Sequence, residues 1–154
     1  MNKLNLGAGP SRIEDYITVD ISSKYIPDVL CDIEKGLPFK TDSIDSVIAC
    51  QVLEHMHDLI SVMNEIWRVC KKNAKVIIDV PHQSSIMAYA DPTHKRVFNE
   101  ESIKYFCSNC EHYWIHESYK ITANFHLISQ KKRSNWKFGL KKRINLRIEL
   151  RAIK

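Results

Sequence analysis

Long apolar runs are missing from this sequence. No stretch approaches the roughly 18 consecutive apolar residues that a membrane-spanning helix needs, and the first residues form no extended apolar leader. A matched set of cysteines is also missing, since the chain has five; an odd number without a leader favours reduced thiols over a disulfide framework. Internal repeats and low-complexity segments are absent as well. We therefore expect a cytoplasmic protein with no transmembrane segment.

The composition is that of an ordinary globular protein. The chain has 154 residues, of which 44% are hydrophobic and 27% charged, and we expect a single domain over residues 1–154. The charge is unevenly distributed. Residues 131–154 contain ten basic residues and one acidic residue, whereas the rest contains 13 basic and 17 acidic residues. Such a basic segment indicates a surface for anionic partners but says nothing about the fold.

A short glycine turn follows the first apolar strand. Residues 4–6 lead into Gly7, and Gly9 comes two residues later. Because glycine has no Cβ, the backbone can approach a ligand closely at this turn. A second apolar run, residues 17–19, ends at Asp20, whose carboxylate can accept hydrogen bonds from ribose hydroxyls. Alone, a Gly-x-Gly turn is more often plain turn chemistry; with the carboxylate it indicates a nucleotide-type pocket.

Strands and helices alternate through the middle of the chain. Apolar runs predict further strands at residues 28–32, 46–50 and 75–80. The link between the first two strands is too short for a crossover helix. Residues 59–70 predict the clearest helix, because apolar side chains recur at three- and four-residue spacing and Asp58 is a suitable N-cap. Asn73 is a candidate for the left-handed conformation after this helix.

The pattern changes in the last third of the chain. Asn99 begins a segment that predicts another helix, through Phe106. Beyond it, residues 125–130 and 144–152 alternate between apolar and polar positions with period two. This periodicity predicts two strands that each have one solvated face, and therefore an antiparallel pair at a sheet edge.

The ordered series of these features resembles the class I S-adenosylmethionine-dependent methyltransferases, and in particular their small bacterial members with a domain of the methyltransferase 11 type. The motifs that carry the resemblance are Leu4-Asn5-Leu6-Gly7-Ala8-Gly9-Pro10, Thr18-Val19-Asp20, Cys31-Asp32-Ile33, Val52-Leu53-Glu54-His55, Glu65-Ile66-Trp67-Arg68-Val69, Lys75-Val76-Ile77-Ile78-Asp79-Val80-Pro81 and Asp91-Pro92-Thr93-His94. The resemblance covers roughly the whole chain. It implies an α/β fold with a Rossmann-like sheet, mostly parallel, that ends in an antiparallel strand pair.

The resemblance also implies a reaction and a cofactor. S-adenosylmethionine would donate a methyl group to an oxygen, nitrogen or carbon nucleophile of a small-molecule or glycan-like acceptor, and S-adenosylhomocysteine would be the product. The cofactor-binding residues that it implies are Gly7, Ala8, Gly9, Asp20, Ile21, Asp32, Ile33 and Gln51. In this scheme the glycine turn contacts the methionine part, Asp20 binds the ribose, and Asp32 with the backbone of Ile33 meets the adenine.

Three histidines are candidates on the acceptor side. His55 is a candidate catalytic residue, because an imidazole near neutral pKa can accept a proton from the methyl acceptor; local packing at a helix start is an equally good interpretation. His82 and His94 are substrate candidates, although a structural histidine with satisfied hydrogen bonds is the safer interpretation of each. We predict no metal among the site residues.

The sequence departs from the family pattern in ways that leave alternatives open. Asn5 stands where an acidic residue is usual, the third glycine of the longer motif is replaced, and the helices that normally precede the first strand are absent. The pocket would then be open unless a homodimer or a partner subunit covers it. A catalytically inactive S-adenosylmethionine-binding protein is therefore a second hypothesis.

Two further signals compete with these interpretations. Cys107, Cys110 and His112 have zinc-ligand content, but their two pairs lie too close together for a finger-type site. In segment 131–154, Trp136 and Phe138 lie among lysines, a pattern typical of single-stranded nucleic-acid binding. A surface for anionic lipid or glycan is another possibility for this segment. We favour a structural role for it, since lysines on edge strands discourage pairing with other chains.

Overall fold

A computed structural model describes residues 1–135 and 143–154. One sheet of seven strands forms its centre. The strands are β1 (Lys3–Leu6), β2 (Ile17–Asp20), β3 (Val29–Leu30), β4 (Ile44–Cys50), β5 (Cys70–Pro81), β6 (Phe125–Asn135) and β7 (Arg143–Ala152). Their order across the sheet is β3-β2-β1-β4-β5-β7-β6. The first five strands pair in parallel, and β7 pairs antiparallel with both β5 and β6. The predicted α/β fold with an antiparallel end is confirmed.

Helices are short apart from one. They are α1 (Leu59–Val69), α2 (Met87–Ala90) and α3 (His116–Tyr119), with 3-10 turns at Ser23–Tyr25, Ile33–Lys35, Leu53–His55, Lys104–Phe106 and Glu111–Ile115. The carboxylate of Asp58 caps α1 as predicted, accepting the backbone N–H of Ser61 at 3.0 Å. The face of α1 that packs on the sheet consists of Leu59, Val62, Met63, Ile66 and Val69. Among the described residues, no helix combines the length and the apolar character that crossing a membrane requires.

Two predicted elements differ most from the structure, and strands β3, β4 and β6 differ from their predicted bounds by smaller amounts. Strand β5 begins at Cys70, directly after α1, rather than at residue 75. Asn73 does adopt a left-handed φ of 64°, but within the strand, where the pairing with β4 slips between Ile44 and Ser46. The predicted helix after Asn99 is only a turn and a 3-10 segment, Lys104–Phe106. Asn99 still accepts the Glu101 N–H at 3.0 Å, but backbone bonds such as Lys104 to Glu101 span three residues rather than four.

The connection after β1 decides where a ligand can lie. Residues 7–16 contain only turns, which confirms the prediction that no crossover helix fits there. Because β1 to β5 are parallel, their carboxyl ends meet at one edge of the sheet. Leu6 of β1 and Val47 of β4 are fully buried, so this edge rests on the core of the sheet. The side chains that follow the strands lie along this edge.

The carboxyl-terminal strands confirm the period-two pattern. Leu146, Ile148, Leu150 and Ala152 are buried on one face of β7. Strand β6 is the edge strand, and its pairing with β7 contains an irregularity between Leu127 and Ser129. The nucleic-acid interpretation of the basic segment depends on Trp136 and Phe138, which lie outside the described residues.

Candidate functional site

The glycine turn after β1 has a backbone that other residues would not adopt easily. Gly7 and Gly9 have φ angles of +58° and +51°. A Cβ at Gly7 would lie 2.3 Å from Cγ2 of Val52, so this position excludes side chains sterically as well. At Gly9, by contrast, no atom lies within 4 Å of the Cβ position. The turn is thus tightly packed behind Gly7 and open beside Gly9, as a surface that receives a ligand requires.

Asn5 explains one departure from the family pattern. Its side chain is buried in β1, and its amide donates a hydrogen bond of 2.8 Å to the carbonyl oxygen of Ser11. A carboxylate at this position has no proton to donate and would face that carbonyl unfavourably. Asn5 therefore holds the far end of the glycine turn.

Asp20 connects the turn to β2. Its carboxylate is 8% exposed and accepts the backbone N–H of Gly9 at Oδ2 and that of Ser22 at Oδ1, both at 2.8 Å. These two bonds fix the orientation of the carboxylate. Each carboxylate oxygen can accept more than one hydrogen bond, so Asp20 keeps capacity for a ligand hydroxyl.

Asp32 occupies the corresponding position after β3. Its Oδ1 accepts the Glu34 N–H at 3.1 Å and so caps the 3-10 turn Ile33–Lys35, while Lys35 Nζ lies 3.3 Å from Oδ2. Asp32 therefore acts locally as a turn residue. It does not exclude a ligand, since Asp32 also borders the cavity described next.

A cavity of about 240 Å³ lies between these elements. Its lining residues are Gly7, Asp20, Ile21, Cys31, Asp32, Ile33, Glu34, Val52, His55 and Met56. We call it the first cavity. Five of the predicted cofactor residues line it, and so does the predicted catalytic residue His55. Ala8 and Gly9 form the turn beside it. The apolar side chains on its walls can cover a flat ring, and its two aspartates can accept hydrogen bonds, so the residues present fit an adenosyl group.

Gln51 lies elsewhere. It borders a second cavity of about 310 Å³, together with Asp79, Met87, Arg133, Arg143 and Asn145. Its φ is +56°, and its Nε2 donates to the carbonyl oxygen of Asp79 at 3.1 Å. Asn145 donates to Asp79 Oδ1 at 2.6 Å, which orients that carboxylate. The two arginines come from β6 and β7, and sequence reasoning missed them because only strand pairing brings them here.

Glu54 is a buried glutamate that lies in sequence between Val52 and His55, two residues that line the first cavity. Glu54 is 1% exposed, and neither of its carboxylate oxygens has a hydrogen-bond partner among the described residues. Burial raises the pKa of Glu54 to about 7, and the negative charges of Asp79 and Asp91 add to the rise. The nearby backbone N–H groups of Glu54 and Val52 partly offset this rise in pKa, although neither forms a hydrogen bond with the carboxylate. Sequence reasoning named Glu54 in a motif but gave no signal of its burial.

Comparisons with known proteins agree with this geometry. Residues 4–78 match the family model described as a methyltransferase domain. A candidate methyltransferase from Bacillus halodurans C-125 superposes with a TM-score of 0.71 at 11% identity, over 99% of this chain and 93% of that one. A SAM-dependent methyltransferase from Methanosarcina mazei gives 0.68 at 13% identity, over 99% and 92%. This chain has the class I methyltransferase fold.

Two further comparisons complete this result. A chain from the complex that contains the Haloferax volcanii Trm112 methyltransferase activator has the same fold, with a TM-score of 0.67 at 14% identity, over 99% of this chain and 82% of that one. No curated protein sequence matches the chain significantly. The resemblance to class I S-adenosylmethionine-dependent methyltransferases that the motifs indicated is confirmed, and this family implies S-adenosylmethionine as the cofactor.

In this methyltransferase fold, His82 is an interior residue. It is 1% exposed, its Nδ1 accepts the Ser84 N–H at 3.0 Å, and its Nε2 therefore donates to Glu100 Oε2 at 3.1 Å. Lys132 Nζ lies 2.6 Å from the other oxygen of Glu100, and these partners lower the pKa of Glu100 to about 2. Both ring nitrogens of His82 are occupied and it lines neither cavity. These contacts suit the structural interpretation of His82, and contact with a substrate stays a prediction.

His94, the other substrate candidate, lies close to His55. The two rings meet edge to face with centroids 4.8 Å apart. Nδ1 of His94 is 3.2 Å from the carbonyl oxygen of Ala88, and Nδ1 of His55 is 3.0 Å from Oγ1 of Thr93. The sequence-predicted His55 and His94 are therefore brought together beside Glu54.

The cysteine–histidine segment is not assembled as a ligand set in residues 1–135 and 143–154. Cys107 is buried, and burial raises the pKa of its thiol. His112 stacks on Tyr105 with ring centroids 4.4 Å apart, and its Nε2 lies 3.2 Å from Glu101 Oε2. These contacts occupy His112 away from the thiols.

The basic segment is partly neutralised within the fold. Lys132 pairs with Glu100, and Lys154 pairs with Asp42 at 2.9 Å while lying over the ring of Trp67. Arg133 and Arg143 instead face the second cavity. Among the described residues, these four cations are therefore paired within the fold or border the second cavity.

Proposed function

We propose that this protein transfers a methyl group from S-adenosylmethionine to an oxygen, nitrogen or carbon nucleophile of a small-molecule or glycan-like acceptor. The observation that carries this proposal is the first cavity, where the glycine turn, Asp20 and Asp32 converge at the carboxyl ends of parallel strands. When bound, the cofactor supplies an electrophilic methyl group on a sulfonium, and S-adenosylhomocysteine is the product.

In this proposal, different residues in and beside the first cavity contact different parts of the cofactor. The turn at Gly7, Ala8 and Gly9 receives the methionine part, because the space beside Gly9 is open. Asp20 accepts hydrogen bonds from the ribose, with Ile21 beside it at the rim. Asp32 and the backbone of Ile33 meet the adenine edge. We also retain Gln51 as a residue that closes on the cofactor, from its place at the border with the second cavity.

Catalysis in this proposal is mostly positioning, since methyl transfer needs the nucleophile aligned with the methyl group. His55 is the proposed proton acceptor, with His94 as a substrate contact. Thr93 donates its hydroxyl proton to Asp91 Oδ1 at 2.6 Å, so the bond between Thr93 and His55 must use a proton on His55 Nδ1. The lone pair of His55 Nε2 is then available for a proton.

The second cavity supports an acceptor that carries negative charge. Arg133 and Arg143 present guanidinium groups there, which suit a carboxylate or phosphate better than a neutral sugar. Replacing both arginines with glutamine should raise KM for such an acceptor at least tenfold and leave cofactor affinity unchanged. Arg151, exposed on β7 and outside the cavity lining, is the matched control. An unchanged KM in the double variant would contradict this placement.

Calorimetric titration with S-adenosylmethionine and S-adenosylhomocysteine tests the cofactor site. We expect binding of both, and Asp20→Asn should weaken it about tenfold or more, because it removes charge-assisted hydrogen bonds. Asp15→Asn is the matched control, since Asp15 lies in the same β1–β2 connection, is exposed and pairs with Lys3. Absence of heat with either molecule would overturn the proposal.

Turnover distinguishes the remaining hypotheses. Binding without methyl transfer to any of a panel of anionic and glycan acceptors would support the inactive cofactor-binding protein. An oligonucleotide affinity that falls steeply with salt would support a nucleic-acid role for segment 131–154.

We also propose that a second copy or a partner subunit covers the first cavity. Ile21 at its rim is 69% exposed, and Ile26 and Leu30 nearby in sequence are exposed as well. One protein with this fold belongs to a complex with the Haloferax volcanii Trm112 methyltransferase activator. Light scattering of the wild type and of Ile21→Ser, whose substitution should weaken any self-association, tests the homodimer. If the wild type and Ile21→Ser are both monomers, the homodimer is excluded, and a pull-down assay then tests for a partner subunit.

A further inference from the structure

The strongest feature that methyl transfer does not use is the buried carboxylate of Glu54. Its side chain is more than nine-tenths buried, and both oxygens lack a partner among the described residues. Buried carboxylates are normally paired or coordinate a metal, because an isolated charge in the interior is costly. Near Glu54 the fold places more negative charge, from Asp79 and Asp91.

Hydrogen bonds determine which ring nitrogen of His55 and of His94 carries a proton. A carbonyl oxygen only accepts hydrogen bonds, so the contact of His94 Nδ1 with Ala88 places the proton on Nδ1. The hydroxyl of Thr93 donates to Asp91, so His55 also carries its proton on Nδ1. In the neutral form of each ring Nε2 then carries the lone pair, and Nε2 of His94 lies 3.8 Å from Oδ2 of Asp91. A histidine whose other nitrogen donates to a carbonyl or hydroxyl is the usual form of a metal ligand.

We propose that Glu54, His55 and His94 bind a divalent transition-metal ion of the Zn²⁺ class. Each of the three residues offers one ligand atom, and these atoms lie within 4.8 Å of one another. Two imidazoles and one carboxylate are a donor set that such ions take, whereas Mg²⁺ and Ca²⁺ prefer oxygen ligands. In a tetrahedral zinc site the ligand atoms lie about 3.4 Å apart, so closing the site needs side-chain movements of about 1 Å.

The location of the site determines what the metal would do. His55 also lines the first cavity, so the proposed site lies beside that cavity. A metal on His55 Nε2 occupies the lone pair that a proton acceptor needs. The metal site and the proton-acceptor role of His55 are therefore alternatives, and the metal site does not depend on the proposed cofactor or reaction.

Titration of chelator-stripped, full-length protein with Zn²⁺ by calorimetry tests the site. We expect one equivalent per chain. Glu54→Gln and His94→Ala should each weaken binding at least tenfold, with folding of each variant checked by circular dichroism. His112→Ala is the matched control, because His112 also contacts a glutamate, Glu101, but on the surface. It should leave affinity unchanged.

The free cysteines require a separate control, since thiols also bind zinc. Cys50 is exposed and Cys31 and Cys110 are half-buried, so these three thiols are the accessible candidates. Binding of Co²⁺ at the proposed site should give the ligand-field absorption of a nitrogen–oxygen site without sulfur-to-cobalt charge transfer. It should persist in a Cys31→Ala/Cys50→Ala/Cys110→Ala variant. Absence of Zn²⁺ binding, loss of binding in the cysteine variant, or unchanged binding in both Glu54→Gln and His94→Ala would overturn the proposal.

Discussion

Replacing Glu54 with glutamine should make the protein less sensitive to pH in the neutral range. In the folded state burial raises the pKa of Glu54 from 4.5 to about 7. A carboxyl group whose pKa is raised on folding binds its proton more tightly in the folded state. Its contribution to stability is therefore fully present below about pH 4.5 and is lost as the pH rises through about 7. Glutamine does not titrate, so the variant lacks this pH-dependent contribution to the free energy of unfolding.

The size of the effect follows from the two pKa values. Each pKa unit is worth about 1.4 kcal/mol, so a rise from 4.5 to about 7 corresponds to about 3 kcal/mol. For a chain of 154 residues this equals a change in melting temperature of about 6–12 °C. Other carboxylates with lowered pKa values, such as Glu65, titrate equally in both proteins. The quantity to compare is thus the difference between wild type and variant at each pH.

Urea unfolding at several pH values between 4.5 and 8.5, with chelator present, measures this difference. Relative to Glu54→Gln, the wild type should lose about 3 kcal/mol of unfolding free energy across this range, and Glu14→Gln, at an exposed glutamate, should run parallel to the wild type. Glutamine itself leaves a buried amide, which costs about 1–3 kcal/mol at every pH and does not affect the comparison. A constant difference between wild type and Glu54→Gln would refute the argument that Glu54 is buried without a partner.

Three other outcomes can be checked in the same assays. Gly7→Ala should destabilise the fold by about 2–4 kcal/mol, because a clash with Val52 adds to the cost of a positive φ, whereas Gly9→Ala should cost only about 1–2 kcal/mol; equal costs in urea unfolding would contradict this. Asn5→Asp should cost about 1–3 kcal/mol at neutral pH, since the Ser11 carbonyl loses its donor, and an unchanged unfolding midpoint would exclude that role. Saturating Zn²⁺ should raise the melting temperature of the wild type more than that of His94→Ala, as differential scanning fluorimetry will show; equal shifts would contradict the metal site.

The strands could be predicted because each is a local pattern. The runs before Gly7, Asp20 and Asp32 alternate or cluster apolar residues over three or four positions, and the carboxylates mark where the chain leaves the sheet. The boundary between α1 and β5 could not be predicted. Cys70 suits a helical stripe as well as a buried strand, and pairing with Ile44 decides between them. The segment after Asn99 failed for a similar reason: its capping residues are real, but they begin a 3-10 turn instead of an α-helix.

The sequence by itself determined the order of the strands along the chain, the glycine turn, the acids at the strand ends and the solvated face of β7. These depend on backbone conformation and periodicity, which neighbouring residues set. Only the tertiary structure decided that Glu54 is buried beside His55 and His94, that Gln51 faces the second cavity with Arg133 and Arg143, and that His82 is internal. Burial, hydrogen-bond partners and shared cavities join residues that are distant in sequence, so they depend on how the strands are ordered across the sheet.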